Sequence, residues 1–490
     1  MSLRGKTIKG LVWSGFSQGG RQATQFAVAA ILARLLSPGD FGMMAMANIF
    51  IDIFTLVGEM GIGSALIQKQ DADDVHFSSA FWVNLATGII LTALLLLTSP
   101  LIAKFFAKPE LQGILVLLSL SFIFSSFSII QQTLLMKQME FRKLAIRDII
   151  SVLLSGAIGI YMAVSGYGVL SLVGQSMSFT IINAILLWNL SKWRPKWLFS
   201  IAHLREIFSF SANLTGSYLV NMFGRNIDKI LIGKFLGDYA LGIYTIAYKL
   251  MLYPLQNVSY VISRVMFPVL SQIQTDKERI RQIYLRMLKT LSIVTFPLMI
   301  GLFVLTPEFV YIVFGTKWEA SVNVIRILCF CGMIQSISAT GGMIILSQNR
   351  ADLQFKSQVI SLTMTIIAIL TGIRFEINGV ALLYTLQSLL FLHIIFHLIG
   401  KIVEIEINNC YLQILYASFY SFMMGIVIFL LKYVMAVSDL YRLCCMITAG
   451  VMTYVIILII AKEIVIGRNG FFLNLFQANR ADGNANVPDS

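Results

Sequence analysis

The chain has 490 residues, 57% of them apolar and only 12% charged, with a net charge of +13, whereas soluble domains carry about 25% charged residues. With a mean hydropathy of +0.81, this excludes a soluble enzyme, a secreted disulfide scaffold and a disordered protein, and points to a bilayer, where each helical crossing takes roughly 20 apolar residues. In such a protein the basic excess first reports topology, because Lys and Arg gather in cytoplasmic loops.

Apolar runs bounded by charge, Gly or Pro predict an all-α polytopic membrane protein of fourteen transmembrane helices. In chain order they lie near 10–36, 40–66, 78–103, 112–135, 146–165, 168–190, 207–233, 240–271, 285–306, 320–347, 356–373, 378–400, 411–432 and 441–461. The basic start from Met1 to Thr7 leads into the first run without a small-residue cleavage site, so that run is expected to stay as a helix. With the N-terminus in the cytoplasm, 22 basic residues fall in cytoplasmic segments, 7 in outer segments and the other 8 of the 37 within helices. This bias predicts that both termini are cytoplasmic.

The chain is self-similar at a period of about 200. Residues 31–42 lie over 231–242 without a gap, pairing Arg34 with Lys234, Leu36 with Leu236 and Gly42 with Gly242. Further on, Phe106 to Glu110 resembles Phe314 to Glu319, Ile150-Ser151 matches Ile360-Ser361, and Gly168-Val169 matches Gly379-Val380. Six crossings per unit give two lobes facing the same way, related by a two-fold axis along the membrane normal and suited to alternating access. The expected organisation is a first lobe over 1–200, a second over 201–403, two extra helices within 404–466, and a cytoplasmic tail over 467–490.

Polar residues inside crossings fall into helical stripes. Crossing 1 carries Ser14, Ser17, Arg21 and Gln25, and crossing 2 carries Asn48, Asp52, Thr55 and Glu59. Crossing 7 repeats the device with Asn213, Ser217, Asn221, Arg225 and Asp228, and crossing 8 with Thr245, Lys249, Tyr253, Gln256, Tyr260 and Arg264. Ionisable groups are costly in a bilayer and by default mark a pathway, so the stripes are expected to line a hydrated cavity. Pro254 and Pro297 are expected bend sites.

Other motifs carry less. Asp71-Ala-Asp73-Asp74 has the Asp-x-Asp form of metal-dependent sugar-nucleotide sites, but it stands in a short loop with no catalytic domain around it. His393 and His397 have i, i+4 metal-ligand spacing without a third ligand. Cys329, Cys331, Cys410, Cys444 and Cys445 read as small apolar fillers. Residues 276–289 read as an amphipathic helix on the cytoplasmic surface, with Ile280, Ile283, Tyr284 and Met287 facing the lipid boundary. No nucleophile-base pair, phosphate loop or dinucleotide fingerprint stands out, so no enzyme, cofactor or nucleic-acid partner is expected.

The chain resembles polysaccharide flippases of the Wzx type, most closely the colanic-acid (WzxC-like) branch, within the superfamily of multidrug, oligosaccharidyl-lipid and polysaccharide exporters. The resemblance rests on Met1 to Arg4, Lys6 to Ile8, Trp13-Ser14, Leu32 to Arg34, Phe41-Gly42, Gly61 to Gly63 and Ile67-Gln68 in the first lobe. In the second lobe it rests on Asn226 to Asp228, Leu236-Gly237, Tyr248, Phe267-Pro268, Phe314 to Trp318 and Phe355-Lys356. It implies transfer of an undecaprenyl-diphosphate-linked oligosaccharide from the cytoplasmic to the outer face of the bacterial inner membrane, for exopolysaccharide or lipopolysaccharide synthesis. The implied partners are that substrate, membrane lipids, and a polysaccharide polymerase with its export machinery.

Arg21, Arg225, Lys249 and Arg264, with Gln25 and Asn221, suit the diphosphate and any acidic sugars. Asp52, Glu59 and Asp228 are the candidates for ion coupling. An anion moving outward across an inside-negative membrane gains about 2.3 kcal/mol per charge per 100 mV, or roughly 4 to 5 kcal/mol for a diphosphate, which makes ATP unnecessary. Two rivals remain: a multidrug cation antiporter of the same superfamily, which should present a mainly acidic, aromatic pocket, and a membrane glycosyltransferase or polymerase, which should carry a large outer loop.

Overall fold

The computed structural model describes residues 3–59, 62–69, 71–434 and 439–461. The first lobe is built from α1 (Leu3–Leu35), α2 (Pro38–Glu59), the short α3 (Ile62–Gln68), α4 (Asp74–Phe106), α5 (Glu110–Lys137), α6 (Phe141–Val164) and α7 (Val169–Leu190). A long α8 (Ile201–Pro254) passes through a π-turn into α9 (Tyr260–Gln272) and is followed by α10 (Lys277–Val313), α11 (Ser321–Ser347), α12 (Ala351–Gly372) and α13 (Glu376–Val403). The chain closes with α14 (Ile407–Val434) and α15 (Asp439–Ile460). Among the described residues all regular structure is helical, and eleven continuous segments are long and apolar enough to cross a membrane.

The expected crossings fall on these helices. α2 with α3 forms crossing 2, and α8 holds crossing 7 and the start of crossing 8, which continues through the π-turn into α9; the two are separated at Gly237, whose φ of 82° and ψ of −174° break the helix. That left-handed backbone suits glycine, which has no Cβ to clash. Its repeat counterpart Ser37 starts α2 with a capping box: Ser37 Oγ and its N–H donate to Asp40 Oδ2 at 2.7 and 2.8 Å, and the Asp40 N–H donates back to Ser37 Oγ at 3.3 Å. Pro254 lies directly before the π-turn at Leu255–Ser259, as expected of a residue that removes a backbone donor. α10 runs through Pro297 as a single helix. The C-terminal tail lies outside the described residues.

Spatial grouping gives two compact units whose limits differ from those of the repeat. Of the described residues, one takes those within 1–247, 313–324 and 362–384, and the other those within 248–312, 325–361 and 385–461. In the first, α4 packs on α5, α6 on α7, and α1 on α6. In the second, a large apolar core gathers Leu270, Tyr284, Phe396, Cys410 and Met446. The last two helices join this core: the Tyr454 hydroxyl donates to the Ile293 carbonyl of α10 at 2.7 Å.

That core corrects the expectation for residues 276–289. They begin α10 itself, and Ile280, Tyr284 and Met287 are fully buried in protein. The amphipathic stripe faces neighbouring helices because α9, α11 and α13 supply apolar partners such as Leu270, Ile344 and Val403.

Candidate functional site

The first unit contains a cavity of about 340 Å3 between α2, α3, α4, α5 and α7. Its lining is uncharged and mixed: Ile67, Leu91, Phe122, Ile129 and Met136 stand beside the polar Thr55, Ser64, Asn84, Ser125, Ser126, Ser128, Gln132, Thr133 and Asn183. Several hydroxyls are bonded back to their own helix, as with Ser126 to Ile123 and Thr133 to Ile129. Asn84 is 2% exposed, yet neither its amide nitrogen nor its oxygen finds a protein partner, and Asn183 Oδ1 is in the same condition. An unpaired buried amide costs about 1–3 kcal/mol, so these groups suit a guest rich in hydroxyls, or water.

Gln132 joins this cavity to a chain of charges. Arg147 Nη1 donates to Gln132 Oε1 at 2.9 Å, Arg147 Nη2 donates to Asp148 Oδ1 at 2.6 Å, and Arg21 Nη1 donates to Asp148 Oδ2 at 3.5 Å. Arg147 is buried, whereas the Arg21 side chain is 36% exposed. One carboxylate thus serves two guanidiniums, leaving a net positive charge and a loosely held Arg21. Neither Arg147, which counts among the 22 cytoplasmic basic residues, nor Asp148 is among the expected site residues. The Arg147-Asp148 pair inside an apolar run, and the Ser125 to Thr133 polar run on α5, were the signals for both.

The other expected site residues are distributed differently. Gln25 and Asp52 are exposed on α1 and α2. Asp228 is buried and satisfied, accepting from the Tyr244 hydroxyl at 2.9 Å and the Lys229 N–H at 2.8 Å. In the second unit Lys249 is exposed, as are Tyr253, Gln256 and Tyr260, so this stripe forms one open face across the π-turn. The side chains of Glu59, Asn221, Arg225 and Arg264 lie outside the described residues. Of the cysteines, Cys329, Cys331 and Cys410 are buried and Cys444 is exposed. His393 Nδ1 lies 3.1 Å from the Tyr411 hydroxyl.

At one end of the first unit, the turns after α1, α4 and α10 interlock with the symmetry of the repeat. A Cβ on Gly42 would lie 1.8 Å from the Asp238 carbonyl, and one on Gly242 would lie 1.8 Å from the Pro38 carbonyl. Arg34 Nε donates to the Val313 carbonyl at 3.1 Å, and its counterpart Lys234 donates to that of Phe105. Lys108 pairs with Asp238 at 2.7 Å, and the fully buried Trp318 donates its indole N–H to the Ala33 carbonyl at 2.7 Å. Both halves of the repeat therefore contribute matching parts to one clasp.

A family model described as "Polysaccharide biosynthesis protein" matches residues 31–323. The chain belongs to this family. It is 34% identical over 339 residues to the teichuronic acid biosynthesis protein TuaB of Bacillus subtilis, spanning 68% of this chain and 69% of that protein. The lipopolysaccharide biosynthesis protein WzxC of Escherichia coli is 28% identical over 381 residues, 76% of each chain. Among solved structures, the lipid II flippase MurJ in an inward closed conformation superposes with a TM-score of 0.71 at 18% identity, covering 93% of this chain and 99% of that one. This family member thus shares its fold with that flippase, and the Wzx-type resemblance stands.

Proposed function

We propose that the chain flips an undecaprenyl-diphosphate-linked oligosaccharide repeat unit across the bacterial inner membrane by alternating access. The observation that carries this reading is the polar cavity joined through Gln132 to Arg147, Asp148 and Arg21. Neutral hydroxyls and amides suit glycan hydroxyls, and a forked guanidinium suits a phosphate. The lipid tail stays in the bilayer while the head group crosses. Arg21 exchanges its long contact with Asp148 for a diphosphate oxygen, and Arg225, Lys249 and Arg264 with Gln25 and Asn221 stand as further candidates for holding the anion. Asp52, Glu59 and Asp228 stand as ion-coupling candidates.

Membership of a polysaccharide biosynthesis family and similarity to WzxC support this substrate class. On this reading the chain transports its substrate and does not transform it, and a polysaccharide polymerase with its export machinery takes up the product. With both termini in the cytoplasm, as the bias of basic residues favours, the clasp lies on the outer face. There it closes the path, and its symmetric halves part when the protein opens outward. The multidrug antiporter reading fits less well, because its cargo would be cationic.

The test is a variant with Arg21→Ala and Arg225→Ala. Cells carrying it should accumulate lipid-linked repeat units on the cytoplasmic face while the protein still inserts normally. Export at the wild-type level in that variant would rule out the cationic-path mechanism.

A further inference from the structure

At the end of the first unit opposite the clasp, three residues outside every stripe meet: Asp73, His76 and His203. Asp73 caps α4, accepting from the backbone N–H groups of Val75 and His76 at 3.0 Å each. His76 Nδ1 lies 2.6 Å from Asp73 Oδ1. His203 comes from the first turn of α8, and its ring meets that of His76 edge to face, with centroids 4.4 Å apart. One donor atom from each of the three lies within 4.8 Å of the other two.

Helix capping accounts for Asp73 and for His76 Nδ1 but not for His203, which a separate device delivers. The segment between α7 and α8 is strapped to α4. The Trp82 indole donates to the Lys196 carbonyl at 2.9 Å, and the Lys196 and Ser200 N–H groups donate to Ser78 and Ser79 Oγ at 3.2 and 3.0 Å. Trp82 and Trp197 stack at 4.4 Å, and Lys196 pairs with Asp74 at 2.6 Å. Ser200 Oγ then lies 2.7 Å from His203 Nδ1, which orients the ring and leaves Nε2 for an ion.

We infer that Asp73, His76 and His203 form a zinc site that pins the first turn of α8 to the start of α4. Two imidazoles and one carboxylate are the donor set of zinc with a fourth position open to water, whereas magnesium and calcium take oxygen ligands. Bonds of about 2.0–2.1 Å in a tetrahedral site set donors about 3.3 Å apart, so Asp73 Oδ1 and His76 Nδ1, now 2.6 Å apart, move apart while the donor set, now within 4.8 Å, draws together around the ion. The site lies where the second repeat begins, so an ion there braces the joint without entering the transport path.

The test is cobalt titration of the full-length, tag-free protein in detergent, followed by zinc. The inference expects the intense visible absorption of tetrahedral cobalt at one ion per chain, and its loss when zinc is added. His203→Ala should weaken binding at least about tenfold, and His393→Ala with His397→Ala should leave it unchanged. Asp73→Asn keeps the cap acceptor and removes the charge, so it serves as the second variant if His203→Ala does not fold; the same loss is expected of it. No tetrahedral band in the wild type, binding by His203→Ala or Asp73→Asn equal to wild type, or loss of binding in the His393/His397 variant would each overturn the site.

Discussion

Asn84 and Arg147 show how a residue can be costly to the fold and useful to the protein. The Asn84 amide is buried without a protein partner, so Asn84→Leu should stabilise the protein by about 1–3 kcal/mol and lower export. Thermal melting in detergent and an export assay on the same variant check the two halves. The charge chain behaves in the opposite way. Asp148→Ala leaves Arg147 buried without its carboxylate, which costs about 3–5 kcal/mol. Arg21→Ala removes only a half-exposed contact at 3.5 Å, worth under about 1 kcal/mol. Equal melting losses for Asp148→Ala and Arg21→Ala would contradict this division. Arg21 was legible in the sequence because its stripe has helical spacing. Asp148 was not, because beside Arg142, Lys143 and Arg147 it reads as part of the charged cytoplasmic end of crossing 5, and only the fold brings Arg21 to it.

At the scale of elements, the repeat is visible as contact. Gly42 and Gly242 align in sequence, and each meets the turn of the other's lobe where a Cβ has no room. Gly42→Ala or Gly242→Ala should destabilise the protein by about 1–3 kcal/mol through overpacking, whereas Gly113→Ala on α5, with open space around it, should be neutral or stabilising by up to about 1 kcal/mol. Melting curves of the three variants decide this. Helix positions, the break at Gly237 and the π-turn after Pro254 follow from hydropathy and from residues with special backbones. The burial of residues 276–289 does not, because an amphipathic stripe faces apolar surroundings alike whether those are lipid or protein. His76 and His203 stand too far apart in sequence for any spacing rule to join them.

At the scale of the molecule, the clasp must open if access alternates. Gly39 and Asp238 face each other in the clasp, a Cβ on Gly39 lying 4.0 Å from Asp238 Cγ, which makes Gly39→Cys with Asp238→Cys the pair to cross-link in a background lacking the five native cysteines. Oxidation should reduce export to the level of a strain without the protein, and reductant should restore it; export by the cross-linked form would show that the clasp is not a gate. The central claim concerns cargo, and it is tested most directly with purified protein in proteoliposomes holding an undecaprenyl-diphosphate oligosaccharide in the donor leaflet. The account predicts that the glycan becomes accessible to a glycosidase on the opposite side, faster when the potential draws anions across and slower with Arg21→Ala. Glycan that stays on the donor side while the same vesicles transport a cationic drug would contradict it.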